Sequence, residues 1–154
     1  MDHAPIPLPA VLHILGWEQL RLRAYKDAVG KWTIGWGHLI LPEEGHLLKG
    51  EITRAVAHQL FLRDLAEKVA GVDRALPSVR LLEHQRGALA AFTFNSGTGA
   101  LGPSMGLGKA LREGRYSDVP AEMRRWVHGT VKGKKVKLAG LVSRREDEVV
   151  LWEG

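Results

Sequence analysis

The chain has 154 residues, with 22 Lys and Arg against 17 Asp and Glu, no cysteine and a formal charge of +5. That length supports one domain with a buried core, and the lack of cysteine excludes a disulfide framework, thiol catalysis and cysteine-ligated zinc. The positive charge favours anionic partners; nucleic acid and a bacterial envelope, with its peptide carboxylates and anionic polymers, both answer to it.

Met1 to Pro9 combines Asp2 with three prolines where a signal peptide needs a basic start and an unbroken apolar segment. Nothing in the chain approaches the ~20 consecutive apolar residues of a membrane span. The expectation is a protein made and kept in the cytoplasm, without stable membrane insertion. From Pro9 or Ala10 to about Trp17, the spacing of Val11, Leu12 and Leu15 predicts a short amphipathic helix that delivers Glu18 at its C-terminal end.

Two runs of alternating residues follow. Leu20, Leu22 and Ala24 alternate with Arg21 and Arg23; Trp32, Ile34 and Trp36 alternate with Thr33, Gly35 and Gly37. Period two with a polar, glycine-bearing break predicts two antiparallel strands joined near Asp27 to Gly30. The parity buries Trp32, Ile34 and Trp36 and turns Thr33 away from the core. Glu18, Asp27 and Thr33 then lie at the hairpin's edges. Two carboxylates and a hydroxyl on an open surface can cleave a glycosidic bond, one acid protonating the leaving oxygen while the other orients water. Solvated charges flanking a turn would have the same spacing.

Beyond His38 the proline and glycine of Leu39 to His46 predict a loop. Thr53 is a fitting N-cap for a helix running to about Ala75 and stopped by Pro77, a rod of about 30 Å, with Gly71 as its weak point. His38, His46 and His58 lack the spacing of a helical zinc site, so no metal is expected. A structural role for His38 is expected instead, with Asp64 as the candidate partner in a pair that would fasten the hairpin to this helix.

Glu83 to Asn95 is apolar on nearly every side and predicts a central buried helix, with Asn95 capping it or bracing a cleft. Short helices are predicted over Ser104 to Glu113 and Val119 to Val127, with Trp126 in the core or a cleft wall. Lys132 to Lys137 is the most basic run. It lacks interleaved aromatics for base stacking and reads as a solvated loop, with a cleft-side patch attracting envelope anions as the other reading. Gly140 to Trp152 predicts a C-terminal helix from which Arg144 or Arg145 turns toward Glu18.

The residues Glu18, Leu20-Arg-Leu22, Ala24-Tyr-Lys-Asp27, Gly30 and Trp32-Thr-Ile-Gly-Trp-Gly-His38 closely resemble the signature of the phage-type lysozymes, the endolysins of glycoside hydrolase family 24. The resemblance continues through Ala88-Leu-Ala-Ala-Phe92, Phe94 to Gly97, Trp126 and Gly140-Leu-Val-Ser-Arg-Arg-Glu146. Gln19 departs from the family's usual Gly, and Trp36 from its usual Tyr.

The resemblance implies a mostly helical α+β lysozyme-like fold: a small β-hairpin lobe over about 18–50, a linking helix over about 53–76, and a larger helical lobe over about 77–154 plus the N-terminal helix. It implies Glu18 as general acid, Asp27 and Thr33 holding the water, and His38, Asn95, Arg144 and Arg145 in substrate-binding or supporting positions. The implied substrate is peptidoglycan, cut between N-acetylmuramic acid and N-acetylglucosamine without cofactor. It further implies a monomer that binds no nucleic acid and reaches the cell wall through a holin-type membrane pore. The alternative is a non-catalytic glycan-binding or virion structural module with the same fold.

Overall fold

Thr53 turns the chain into helix α2 (Arg54–Ala75), its hydroxyl accepting the backbone N–H of Val56 at 3.1 Å, which satisfies one donor that a helix start leaves free. A computed structural model describes residues 6–154; most of the proline-bearing segment Met1 to Pro9, with its expected lack of a signal peptide, lies outside the described residues. One side of α2 is buried along its length through Ala57, Leu60, Phe61, Leu65, Val69 and Val72. Its two ends serve different cores. Leu60 packs with Ile34 and Leu47 beneath a small sheet, whereas Val72 joins Phe92, Leu101, Leu111, Met123 and Trp152 among the other helices. At Gly71 a Cβ would lie 2.6 Å from Thr98 Cγ2, so the missing side chain lets the turn over 98–101 close on the helix.

The sheet has strands β1 (Leu20–Lys26), β2 (Trp32–Trp36) and β3 (His38–Leu39), antiparallel and in that order. Leu20 faces Trp36, Tyr25 faces Thr33, and Ile34 faces His38. The predicted parity fails at two places. Trp32 is 44% exposed, and Thr33 is only 5% exposed. The register shifts on β1 between Arg21 and Tyr25, and Trp32, at the outer end of β2, lies under the Lys26 ammonium rather than on the core. Thr33 is covered because the stretch predicted as a loop supplies β3, paired to Thr33 at Leu39, followed by a 3-10 helix over Pro42–Leu48. Gly35 faces α2, where a Cβ on it would lie 3.6 Å from Ala57 Cβ.

The helical part comprises α1 (Leu8–Trp17), α3 (Glu83–Ser96), α4 (Gly106–Arg112), α5 (Val119–Arg124) and α6 (Ala139–Glu153). As its sequence demands, α3 is buried without interruption from Gly87 to Thr93 and packs against α1, α2 and α6. Helix α5 stops at Arg124, short of the predicted Val127; Trp126 lies beyond it, half-buried, edge-on to Phe92. The lysine-rich run is a hairpin, not a loop: β4 (His128–Val131) pairs with β5 (Lys134–Lys137). Its two-residue turn has φ of 53° at Lys132 and 77° at Gly133, the positive pair that fits the twist of a tight hairpin.

Candidate active site

Glu18 is the C-cap of α1. Its backbone N–H still bonds to Ile14 O at 2.8 Å, but at φ −93° and ψ 94° the chain has left the helix to enter β1. A carboxylate at a helix C-terminus meets the negative end of the dipole, and Arg144 from α6 offsets this, its Nη1 donating to Glu18 Oε1 at 2.7 Å. The other side of the carboxylate lies over Gly37, at φ +74°, where a Cβ would come within 2.6 Å of Glu18 Cδ. The Glu18 side chain keeps 17% of its surface exposed, so the carboxyl is held on two sides and open on a third.

Asp27 is fixed by its own turn. Its Oδ1 accepts the backbone N–H groups of Val29 at 3.0 Å and Lys31 at 2.8 Å, the local side-chain bonding that suits Asp to tight turns. Among the described residues Oδ2 carries no further bond. The Thr33 hydroxyl donates to Lys31 O at 3.0 Å, which ties it to the same turn and leaves its oxygen free to accept. Tyr25, given no role by the sequence, stands opposite Thr33. Burial raises the pKa of its phenol, and the charges of Glu18 and Asp27 raise it further against the opposing pull of Arg21. Both carboxylates therefore act on one ring.

His38 lies behind this row, 4% exposed. Its Nδ1 is 2.7 Å from Asp64 Oδ2 on α2, the expected pairing, and its Nε2 is 2.8 Å from Glu44 Oε1. Burial works against a charged ring, but the hydrogen bonds to Asp64 and Glu44 outweigh it and raise the His38 pKa. Glu44 also accepts from Leu41 N–H at 3.0 Å and Arg63 Nη2 at 3.1 Å. With His38, these lower its pKa despite the opposing effect of burial. A recess of about 610 Å³ opens beside this cluster, lined also by His46, Gln59 and Glu67. Among the described residues no three His, Asp or Glu side chains are grouped as metal ligands.

The two C-terminal arginines do different work. Arg144 reaches Glu18, whereas Arg145 is only 1% exposed and points inward, its guanidinium donating to Asn95 Oδ1 at 2.6 Å, Ser96 Oγ at 2.5 Å and Trp126 O at 3.2 Å. Asn95 is therefore tied to α6. Sequence reading passed over the group between the arginines. Glu148 is wholly buried, 2.6 Å from Arg145 Nε, 3.6 Å from Arg144 Nε and 3.1 Å from His13 Nε2 on α1. The signal was present as Arg144, Arg145 and Glu148 at i, i+1 and i+4 on one helix, but the partner His13 is 135 positions away.

This arrangement can be set beside known proteins. The family model for phage lysozyme matches residues 15–148, an interval that contains Glu18, Asp27, Thr33, His38, Asn95, Arg144, Arg145 and Glu148. The chain belongs to the phage lysozyme family. It is 34% identical over 137 residues to an endolysin of Acyrthosiphon pisum secondary endosymbiont phage 1, covering 89% of this chain and 90% of that one. To a SAR-endolysin of Escherichia phage Mu it is 35% identical over 135 residues, covering 88% and 73%. Among solved structures, it superposes with a TM-score of 0.82 and 31% identity on an endolysin from Escherichia coli O157:H7 phage FAHEc1, over 98% of this chain and 94% of that one. With the muramidase domain of SpmX from Asticaccaulis excentricus the TM-score is 0.80 at 30% identity, over 99% of both chains. The α+β lysozyme-like fold is thereby shown, and the chain is a glycoside hydrolase of the lysozyme type.

Proposed function

We propose that this lysozyme hydrolyses the β-1,4 bond from N-acetylmuramic acid to N-acetylglucosamine in peptidoglycan. Glu18 protonates the leaving oxygen as the carbon–oxygen bond breaks. Water attacks the anomeric carbon from the opposite face, giving one proton to Asp27 Oδ2 and resting the other on Thr33 Oγ1. That hydroxyl is suited to accept because its own proton is spent on Lys31 O. One observation carries the reading: Glu18 is clamped between Arg144 and Gly37 yet open on one side, while Asp27 keeps one oxygen unengaged. A group held so needs little reorganisation to meet substrate.

No cofactor enters this chemistry. The enzyme works as a monomer on host cell wall, synthesised in the cytoplasm and reaching the periplasm once a holin-type pore or equivalent breach opens the inner membrane. Among the described residues no helix is long and apolar enough to cross a membrane. Digestion of purified sacculi followed by mass spectrometry tests the reading. Disaccharide muropeptides with a reducing N-acetylmuramic acid are expected. Reducing N-acetylglucosamine, anhydro-sugar ends or peptide-bond cleavage would contradict it.

A further inference from the structure

Four of the six residues from Lys132 to Lys137 are lysines, all exposed, and among the described residues none of them forms an ion pair. The β4–β5 register pairs Lys137 with His128 and Lys135 with Thr130, so these share one face of the ribbon, and Lys132 sits at the tip. Lys132 is also the one non-glycine with positive φ among the described residues, a position that favours Gly or Asn and so carries a cost for a lysine. Four like charges on a two-stranded ribbon repel one another, which an anionic ligand would offset.

The ribbon's position says which ligand. At Gly129 a Cβ would be 2.8 Å from both Val29 Cγ1 and Leu138 Cδ1. Val29 belongs to the β1–β2 turn, and its N–H is one of the two that hold Asp27 Oδ1. The base of the lysine hairpin therefore rests on the turn that carries Asp27. Three residues at ~3.3 Å each set the tip about 10 Å from that contact, close to the ~8–10 Å over which charges act in physiological salt.

We propose that the β4–β5 hairpin is a cationic arm that binds the stem-peptide carboxylates of peptidoglycan beside the bond being cut. The inference rests on the proposed substrate and adds to it a preference for glycan strands that bear peptide. The lysines stay in water and hold the strand by charge, so they act on capture rather than on chemistry.

The test compares the parent with a variant in which Lys132, Lys134, Lys135 and Lys137 are all Gln, and with a second in which all four are Arg. Initial rates are taken over a salt series on sacculi and on the same glycan strands stripped of peptide by an amidase. On sacculi the Gln variant should show a KM raised about tenfold with kcat near the parent and a flattened salt dependence; on stripped strands it should match the parent. The Arg variant should match the parent throughout. An equal loss on both substrates, or no loss on sacculi, overturns the proposal. So does loss of binding to anionic lipid vesicles with binding to sacculi intact. Co-sedimentation with sacculi against stripped strands reads the same lysines without turnover, so it decides the arm's role even if the parent proves unable to cleave either substrate.

Discussion

Arg144 stands between two carboxylates, with Nη1 2.7 Å from Glu18 Oε1 and Nε 3.6 Å from Glu148 Oε2. It therefore couples the partly open C-terminal end of α1 to the wholly buried Glu148. Glu148 in turn is held by Arg145 and by His13 from α1. The acid's position is set by both ends of the chain, through a lattice of charges that only the folded helices bring together.

Glu18→Gln keeps the shape and the bond to Arg144 but has no proton to donate. Its melting temperature should stay near the parent's while activity falls by about 10²–10⁴-fold, the usual share of a general acid. Turbidity clearing and thermal unfolding on the same preparation check this. Activity within a few-fold of the parent removes Glu18 from the mechanism.

Glu148→Gln should act on stability first. It leaves the buried Arg145 guanidinium without a counter-charge, while Arg144 keeps Glu18; an unpaired buried charge typically costs about 3–5 kcal/mol. Urea unfolding should show that loss in midpoint with little change in slope. An unchanged midpoint would mean that Glu148 does not hold the arginines.

Gly37→Ala combines a backbone penalty with a local clash. At φ +74° a side chain is strained by roughly 1–2 kcal/mol, and the new methyl would push on the Glu18 carboxylate. The expected result is a modest drop in melting temperature with a larger loss of kcat than the stability change explains. Parent-like kcat would show that Glu18 tolerates displacement.

The His38 cluster gives a signed pH dependence. His38 has a raised pKa, so its contribution is complete below its ordinary value of 6.5 and is lost as pH rises through the elevated one. Glu44 has a lowered pKa, so its contribution is complete above 4.5 and is lost as pH falls through the depressed one. The stability gap between the parent and His38→Asn should be widest between these two ordinary values and narrow on both sides. Melting temperatures across the pH range check it; a gap that widens toward alkaline pH contradicts the pairing.

What the sequence revealed was whatever is written locally. The N-cap at Thr53, the apolar run of α3 and the turn at Asp27 each depend on residues a few positions apart, and each forms as expected. The pairing of His38 with Asp64 was within reach because a histidine at the end of the hairpin and an acid on the next helix can meet. Trp32 and Thr33 were misplaced because alternation assumes one covered face, whereas β3 lies alongside Thr33 and Trp32 stands at the strand's outer end, and neither depends on a local residue pattern. The lysine hairpin looked like a loop because charge hides the alternation of Gly129 and Val131 with His128 and Thr130, and its strands are stabilised by pairing rather than burial. Glu148 with His13 was invisible since a buried hydrogen bond between residues at the two ends of the chain leaves no periodic trace.

The stereochemistry of cleavage tests the division of roles most directly. A retaining enzyme places its second carboxylate about 5 Å from the acid to attack the sugar, whereas an inverting one leaves roughly 6.5–9.5 Å for a water. Thr33, tied by Lys31 O to the same turn as Asp27, is equipped to hold that water, not to help a carboxylate attack. Proton NMR of the first reducing end released from a defined glycan, recorded before mutarotation, should therefore show the α-anomer of N-acetylmuramic acid. An initial β-anomer would mean a covalent or substrate-assisted route and would contradict the roles given to Asp27 and Thr33.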